Sequence, residues 1–218
     1  MQSRNLNNIQ GLDVSQHQGN INWTSVYESG KSFAFIKATE GATHKDTKFD
    51  FNYSEAKNAG LYVGAYHFAY PESLDDPILE ADHFVDIVTK AGGCEDNISL
   101  PPVLDLETNQ GGLSKDQLSE WATIWMECVM EKIGVKPILY TYLDFGRNNL
   151  NELLGEFPLW YARYNVQQPE DFAGWREWKF LQFTNSGHVS GIAGNVDLNE
   201  FDGTIDQLEQ FRADSMLW

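Results

Sequence analysis

Over its first two thirds the chain alternates short apolar runs with stretches of helical period, and few architectures accommodate that rhythm. The runs are Gln10–Val14, Phe33–Ala38, Leu61–Ala69, Pro102–Glu107 and Pro137–Tyr142. Between them lie helical patterns over residues 22–29, 49–59, 76–91, 114–132 and 145–154. Gly60, Gly92-Gly93 and Gly134 supply stops, and Ser114 with Gln117 forms a capping box that starts the fourth helix. A strand that returns to the same sheet in parallel needs a crossover of this length, so the pattern predicts a parallel sheet covered by helices. After residue 158 the crossovers stop. Residues 159–163, 177–183 and 194–198 read as strands joined by segments rich in Gly, Pro, Asn and Gln. Five β-α units followed by three further strands predict an α/β fold closed into an irregular barrel, as one domain. The expected boundaries are an N-terminal extension over 1–10, the barrel over 11–203 and a closing segment over 204–218.

Charge narrows the functions such a barrel can have. Fifteen Lys and Arg against 32 Asp and Glu give a net charge of −17, which opposes binding to nucleic acid or to an anionic membrane surface. No run approaches the ~18 apolar residues that span a bilayer. Met1–Gln10 has no apolar core of a signal peptide, so secretion, if it happens, is expected to use another route or a removed leader. Two cysteines, Cys94 and Cys128, make no disulfide framework and no zinc pattern; two unpaired thiols are expected, and a monomer is the default. Neither a metal nor an organic cofactor is expected. Asn22, Asn52 and Asn97 open glycosylation sequons by pattern alone, and Asp105-x-Glu107-x-Asn109 departs from a calcium loop at its glycine and its twelfth position. Nucleophile-elbow, zinc-protease and P-loop signatures do not occur.

The chemistry concentrates in Val103-Leu-Asp-Leu-Glu107. Alternation along a strand puts Asp105 and Glu107 on one face, with Cα atoms roughly 6.5–7 Å apart. At the C-terminal end of a barrel strand that face points into the mouth. Neighbouring carboxyls resist joint ionisation, so one can stay protonated as a general acid beside a second that stabilises positive charge, the requirement of glycoside hydrolysis. Solvated strand ends are the other reading of the same pattern. Asp13 and Asp197 sit at two further strand ends, and aromatics including Tyr66, Tyr140 and Trp160 cluster at the same ends, each readable as core packing or as a sugar contact. His67 faces away from Tyr66 and Phe68 in a regular strand and reads as a hydrogen-bonded core histidine; Trp121 and Trp125 read as core packing of one helix.

Taken together, Gly11-Leu-Asp-Val-Ser15, Phe35-Ile-Lys-Ala-Thr-Glu-Gly41, Gly64-Ala-Tyr-His-Phe68, Val103-Leu-Asp-Leu-Glu107, Leu159-Trp-Tyr-Ala162 and Gln182-Phe-Thr184 with Val196-Asp-Leu-Asn199 resemble glycoside hydrolase family 25, the lysozymes of phage endolysins and bacterial autolysins. The resemblance implies an irregular TIM-like barrel of the (β/α)5β3 kind. It implies hydrolysis of the β-1,4 bond between N-acetylmuramic acid and N-acetylglucosamine in bacterial peptidoglycan, with net retention. By the same match Glu107 is the general acid/base and Asp105 orients the substrate's 2-acetamido group if that group is the internal nucleophile; a direct carboxylate nucleophile is the competing scheme. Asp13 and Asp197 then shape the field around them, and Lys37 pairs with the acidic cluster. A non-catalytic saccharide-binding barrel and a hydrolase of another N-acetylglucosamine polymer are the alternatives.

Overall fold

A computed structural model describes residues 1–93 and 99–217. The elements follow in the order β1 (Ile9–Val14), α1 (Trp23–Glu28), β2 (Phe33–Glu40), β3 (His44–Lys45), α2 (Phe49–Asn58), β4 (Tyr62–Phe68), α3 (Pro77–Lys90), β5 (Val103–Asp105), α4 (Lys115–Ile133), β6 (Ile138–Tyr142), α5 (Leu143–Asn149), β7 (Leu159–Ala162), β8 (Phe180–Gly187), β9 (Val196–Phe201) and α6 (Ile205–Ser215). The sheet order β1-β9-β8-β7-β6-β5-β4-β2 is closed by pairing of β1 with β2, and β3 extends β2 as a short hairpin. All neighbours in the eight-stranded barrel are parallel except β9, which runs antiparallel to both β8 and β1. The expected five β-α units and three final strands are therefore present, closed as an irregular barrel.

Two apolar layers hold it. Inside the barrel, Phe33, Phe35, Val103, Ile138, Trp160, Phe180 and Phe201 interlock, with Phe35 stacked on the Trp160 indole at 4.4 Å. Outside, residues of the opposite strand face such as Ala34, Ile36, Leu104 and Leu139 meet the helices, where Phe84, Trp121 and Trp125 are fully buried. Gly11 and Gly64 make room for the inner layer, because a Cβ there would lie 2.5 Å from the ring of Phe33 or Phe35. His67 belongs to the outer layer: its ring contacts Thr39 Oγ1 at 2.8 Å and Glu80 at 2.7 Å and stacks on Trp125. Burial pushes the imidazole pKa down, against the opposing pull of Glu80.

Several boundaries differ from expectation for local reasons. The helix expected over 145–154 breaks after Asn149, because Leu150 is extended and Asn151 caps a separate 3-10 turn over Glu152–Glu156 through Leu153 N–H. β5 ends at Asp105, two residues early. Leu106 N–H still bonds Tyr140 C=O, and Thr108 Oγ1 donates to Ala69 C=O, so the chain leaves the sheet while crossing the mouth. The last two strands run later than expected, because β9 finds partners on both sides. The N-terminal strand starts at Ile9, and Gln2 and Arg4 before it bind Trp178, Asp202 and Glu200 on the barrel wall. In β2 a bulge changes the register against β4: Lys37 pairs with Tyr66, yet Thr39 pairs with His67. Ala38 and Thr39 both face the helices, and Glu40 returns to the side of Lys37. Cys94 and Asn97 lie outside the described residues, and with them the expected state of the two thiols and the third sequon.

Candidate active site

Four carboxyls converge at one end of the barrel. Asp13 lies near the C-terminal end of β1, Asp105 ends β5, Glu107 follows two residues later, and Asp197 is the second residue of the reversed strand β9, directly opposite Asp13. The same-face argument for Asp105 and Glu107 assumed a strand that continues to Glu107. The strand stops, but the two acids still sense each other's charge. Asp105 is buried and its Oδ1 has no hydrogen-bond partner, while Glu107 is half-buried.

Asp13 is the best-anchored of the four. Its Oδ2 accepts from Gln182 Nε2 at 2.9 Å and from Asn199 Nδ2 at 2.7 Å. Each amide is turned by donors behind it. Trp160 Nε1–H donates to Asn199 Oδ1 at 2.8 Å, and an indole can only donate. Tyr140 and Tyr164 donate their hydroxyls to Gln182 Oε1 at 3.1 and 2.6 Å. Both amides therefore aim N–H groups at the same carboxyl oxygen, and Asp197 stands opposite Asp13 in the β1–β9 register.

Burial raises the proton affinity of all four acids. For Asp13 burial and then the Asp197 charge raise the pKa to about 8, against the pull of the two amides. Burial and then Glu107 raise Asp105 well above the usual carboxylate range. Burial raises Glu107 as well, with Lys37 opposing and Asp197 adding to the rise. Burial likewise raises Asp197. The mouth thus retains protons toward neutral pH, and acids coupled in this way titrate as a group.

The other expected residues take different positions. Lys37 forms its ion pair with Glu40 at 2.7 Å, not with one of the four acids, and its Nζ stands 4.5 Å over the Phe68 ring. Its charge still reaches Asp105 and Glu107. Tyr66 and Tyr140 lie in the upper barrel layer against Trp160. Trp160 is only 2% exposed, so its ring faces are covered by protein. Beside Glu107 opens a cleft of about 460 Å³, walled by Tyr140, Tyr142, Leu143, Asp144, Ala162, Arg163 and Tyr164. The sequence reading missed Gln182 and Asn199 as members of the site, although both stand in the motifs quoted above, each spaced by two from another strand residue. It missed Arg163 because it placed that residue inside the strand over 159–163, whereas β7 ends at Ala162 and Arg163 opens the loop on the cleft wall.

Comparison with known proteins identifies the family. The family model described as glycosyl hydrolases family 25 matches residues 12–192. Lysozyme M1 of Streptomyces globisporus is 38% identical over 92% of this chain and 70% of its own length. An N,O-diacetylmuramidase of Arthroderma benhamiae is 31% identical over 93% of this chain and 86% of its own. The crystal structure of a bacterial lysozyme from Streptomyces coelicolor superposes with a TM-score of 0.87 at 36% identity, covering 97% of this chain and all of that one. With the family match spanning most of the barrel and the acids gathered at its mouth, the chain belongs to the family 25 glycosyl hydrolases.

Proposed function

We propose that the mouth cleaves peptidoglycan as a muramidase, at the β-1,4 bond between N-acetylmuramic acid and N-acetylglucosamine, with the 2-acetamido group of the substrate as nucleophile. The observation that carries this reading is the pair at the end of β5: Glu107 on the cleft wall beside buried Asp105, whose Oδ1 has no partner. An acetamido N–H donating to that oxygen stabilises ionised Asp105, and the proton the pair retains then favours Glu107.

In the first step the Glu107 carboxyl gives its proton to the glycosidic oxygen as the C1–O bond breaks. The acetamido carbonyl oxygen attacks C1 from the opposite face, forming an oxazolinium ring whose N–H faces Asp105. In the second step Glu107, now a carboxylate, takes a proton from water as the water oxygen bonds to C1 and the ring reopens. Two inversions give net retention. Asp197 acts behind this pair by holding negative charge near Glu107 and keeping it proton-loaded, and Asp13 stands opposite Asp197 across β1 and β9. Trp160 acts through Asn199 on Asp13 and not as a sugar platform.

The test is digestion of purified bacterial cell walls by the wild type and by Glu107→Gln, with mass spectrometry of the soluble fragments. The wild type should release fragments with a reducing N-acetylmuramic acid end, and the variant should be slower by about a thousandfold. A variant that cleaves at nearly the wild-type rate removes Glu107 from the acid role. If both proteins bind walls and release nothing, the barrel is a binding module.

A further inference from the structure

The cleft beside Glu107 contains one strongly cationic group among its described lining residues, in a protein of net charge −17. That group is Arg163, the first residue after β7. Its Nε and Nη2 donate to Glu170 Oε2 and Oε1 at 2.9 and 2.8 Å, a fork that fixes the plane of the guanidinium. Glu170 is held in turn by its own neighbourhood: Tyr161 of β7 donates its hydroxyl to Glu170 C=O at 3.4 Å. The backbone of Arg163 is tied as well, through its N–H to Gln182 C=O at 3.0 Å. With Nε and Nη2 engaged, no described residue accepts a hydrogen bond from Nη1, and the side chain is 31% exposed. The result is a pre-oriented cation with both Nη1 N–H groups free, on the wall that also carries Glu107, Tyr142 and Tyr164.

Its surroundings make this charge informative. Glu107 and Asp144 line the same cleft, with Asp197 close by, so the site by itself repels an anionic substituent. Strands of the proposed substrate that lack stem peptides carry one on alternate sugars. N-acetylmuramic acid differs from N-acetylglucosamine by a lactyl ether at O3 that ends in a carboxyl group, whereas a polymer of N-acetylglucosamine alone has none.

Building on the muramidase reading, we propose that Arg163 is a specificity-determining residue that receives the lactyl carboxylate of N-acetylmuramic acid on Nη1, with Glu170 holding the guanidinium in place. A planar, permanently charged donor suits a carboxylate, and fixing it beforehand removes much of the entropy cost of the contact. The contact is made before and during bond cleavage alike, so it acts on KM more than on kcat.

The experiment is a substrate-and-protein double cycle on peptide-free glycan strands, with the lactyl carboxyl either free or methyl-esterified, measured for wild type, Arg163→Gln and Arg163→Lys. Esterification should raise the wild-type KM about tenfold with kcat changed less than about twofold. Arg163→Gln should raise KM on free strands by a similar factor, and esterification should then add nothing. Arg163→Lys should recover part of the difference. Additive effects of esterification and Arg163→Gln, or a wild type indifferent to esterification, overturn the assignment. On strands that keep their stem peptides the lactyl carboxyl is an amide, and the Arg163→Gln effect should vanish. An effect confined to those strands means that Arg163 meets peptide carboxylates, and the lactyl assignment falls. Release of no muramic acid reducing ends by the wild type defeats the muramidase reading itself, a result distinct from any of these.

Discussion

Replacing Trp160 by Phe tests whether the barrel floor is a connected device. The indole is 2% exposed, stacks on Phe35 at 4.4 Å and gives its only N–H to Asn199, which is fully buried. Phe retains a ring and removes the donor. Leaving the buried Asn199 carbonyl without a partner costs ~1–3 kcal/mol. The smaller ring leaves a partial cavity worth roughly a further 1–2 kcal/mol. For a domain of this size each kcal/mol lowers Tm by about 2–4 °C, so the variant should melt roughly 4–20 °C below the wild type. The loss should also reach the acids: an amide free to turn no longer guarantees its N–H to Asp13, whose carboxyl then moves further upward. The assay is a thermal and urea melt of Trp160→Phe, Asn199→Ala and the double variant. If the link is real, the two single losses exceed what the double variant adds, by about 1 kcal/mol. Additivity within ~0.5 kcal/mol would refute the chain from Trp160 through Asn199 to Asp13.

Asp13 also predicts a pH effect on stability. Its carboxyl holds a proton up to about 8 in the fold, against an ordinary value of 3.8, so the native state binds a proton that the unfolded chain has released, and stability falls as pH rises from about 4 to about 8. In Asp13→Asn that contribution is gone, and its Tm relative to wild type should climb between pH 5 and pH 8; parallel curves would contradict the shift. Gly64→Ala should destabilise by about 1–3 kcal/mol, because its Cβ would meet the Phe35 ring at 2.5 Å, and an unchanged urea midpoint would show that the inner layer yields. With a net charge of −17 and an anionic wall as target, lysis of intact cells should rise from the lowest ionic strength to moderate salt as screening shortens from ~30 to ~8 Å. A monotonic fall in turbidity-clearing rate would reject the repulsion.

Local periodicity predicted the barrel well because three of the crossover helices carry their own glycine stop signals, as Gly60 and Gly134 show. It failed where tertiary hydrogen bonds decide. β5 ends at Asp105 because its last bonds are taken by residues on β6 and the loop after β4, and no pattern in Val103–Glu107 encodes that. Asp13, Asp105, Glu107 and Asp197 were readable because carboxyls at strand ends are conspicuous among aliphatics. The amides that orient Asp13 were not: Gln182 and Asn199 are ordinary polar residues until two strands bring them to the same oxygen. Trp160 points the same way, since an aromatic at a strand end serves a sugar or a neighbour depending on which side closes over it.

The bulge in β2 has a consequence for how the mouth's charges are encoded. A regular strand would put Lys37 and Glu40 on opposite faces, one toward the acids and one under the helices. The extra residue shifts the phase of the strand by half a pleat, and Glu40 emerges beside Lys37 at 2.7 Å. The tether for that lysine is therefore written in chain length, not in side-chain chemistry. Straightening β2 with Ala38 retained would swing Glu40 into the apolar layer and turn Thr39 away from His67, whereas deleting Ala38 would leave Lys37, Thr39 and Glu40 in regular alternation and keep Glu40 beside Lys37.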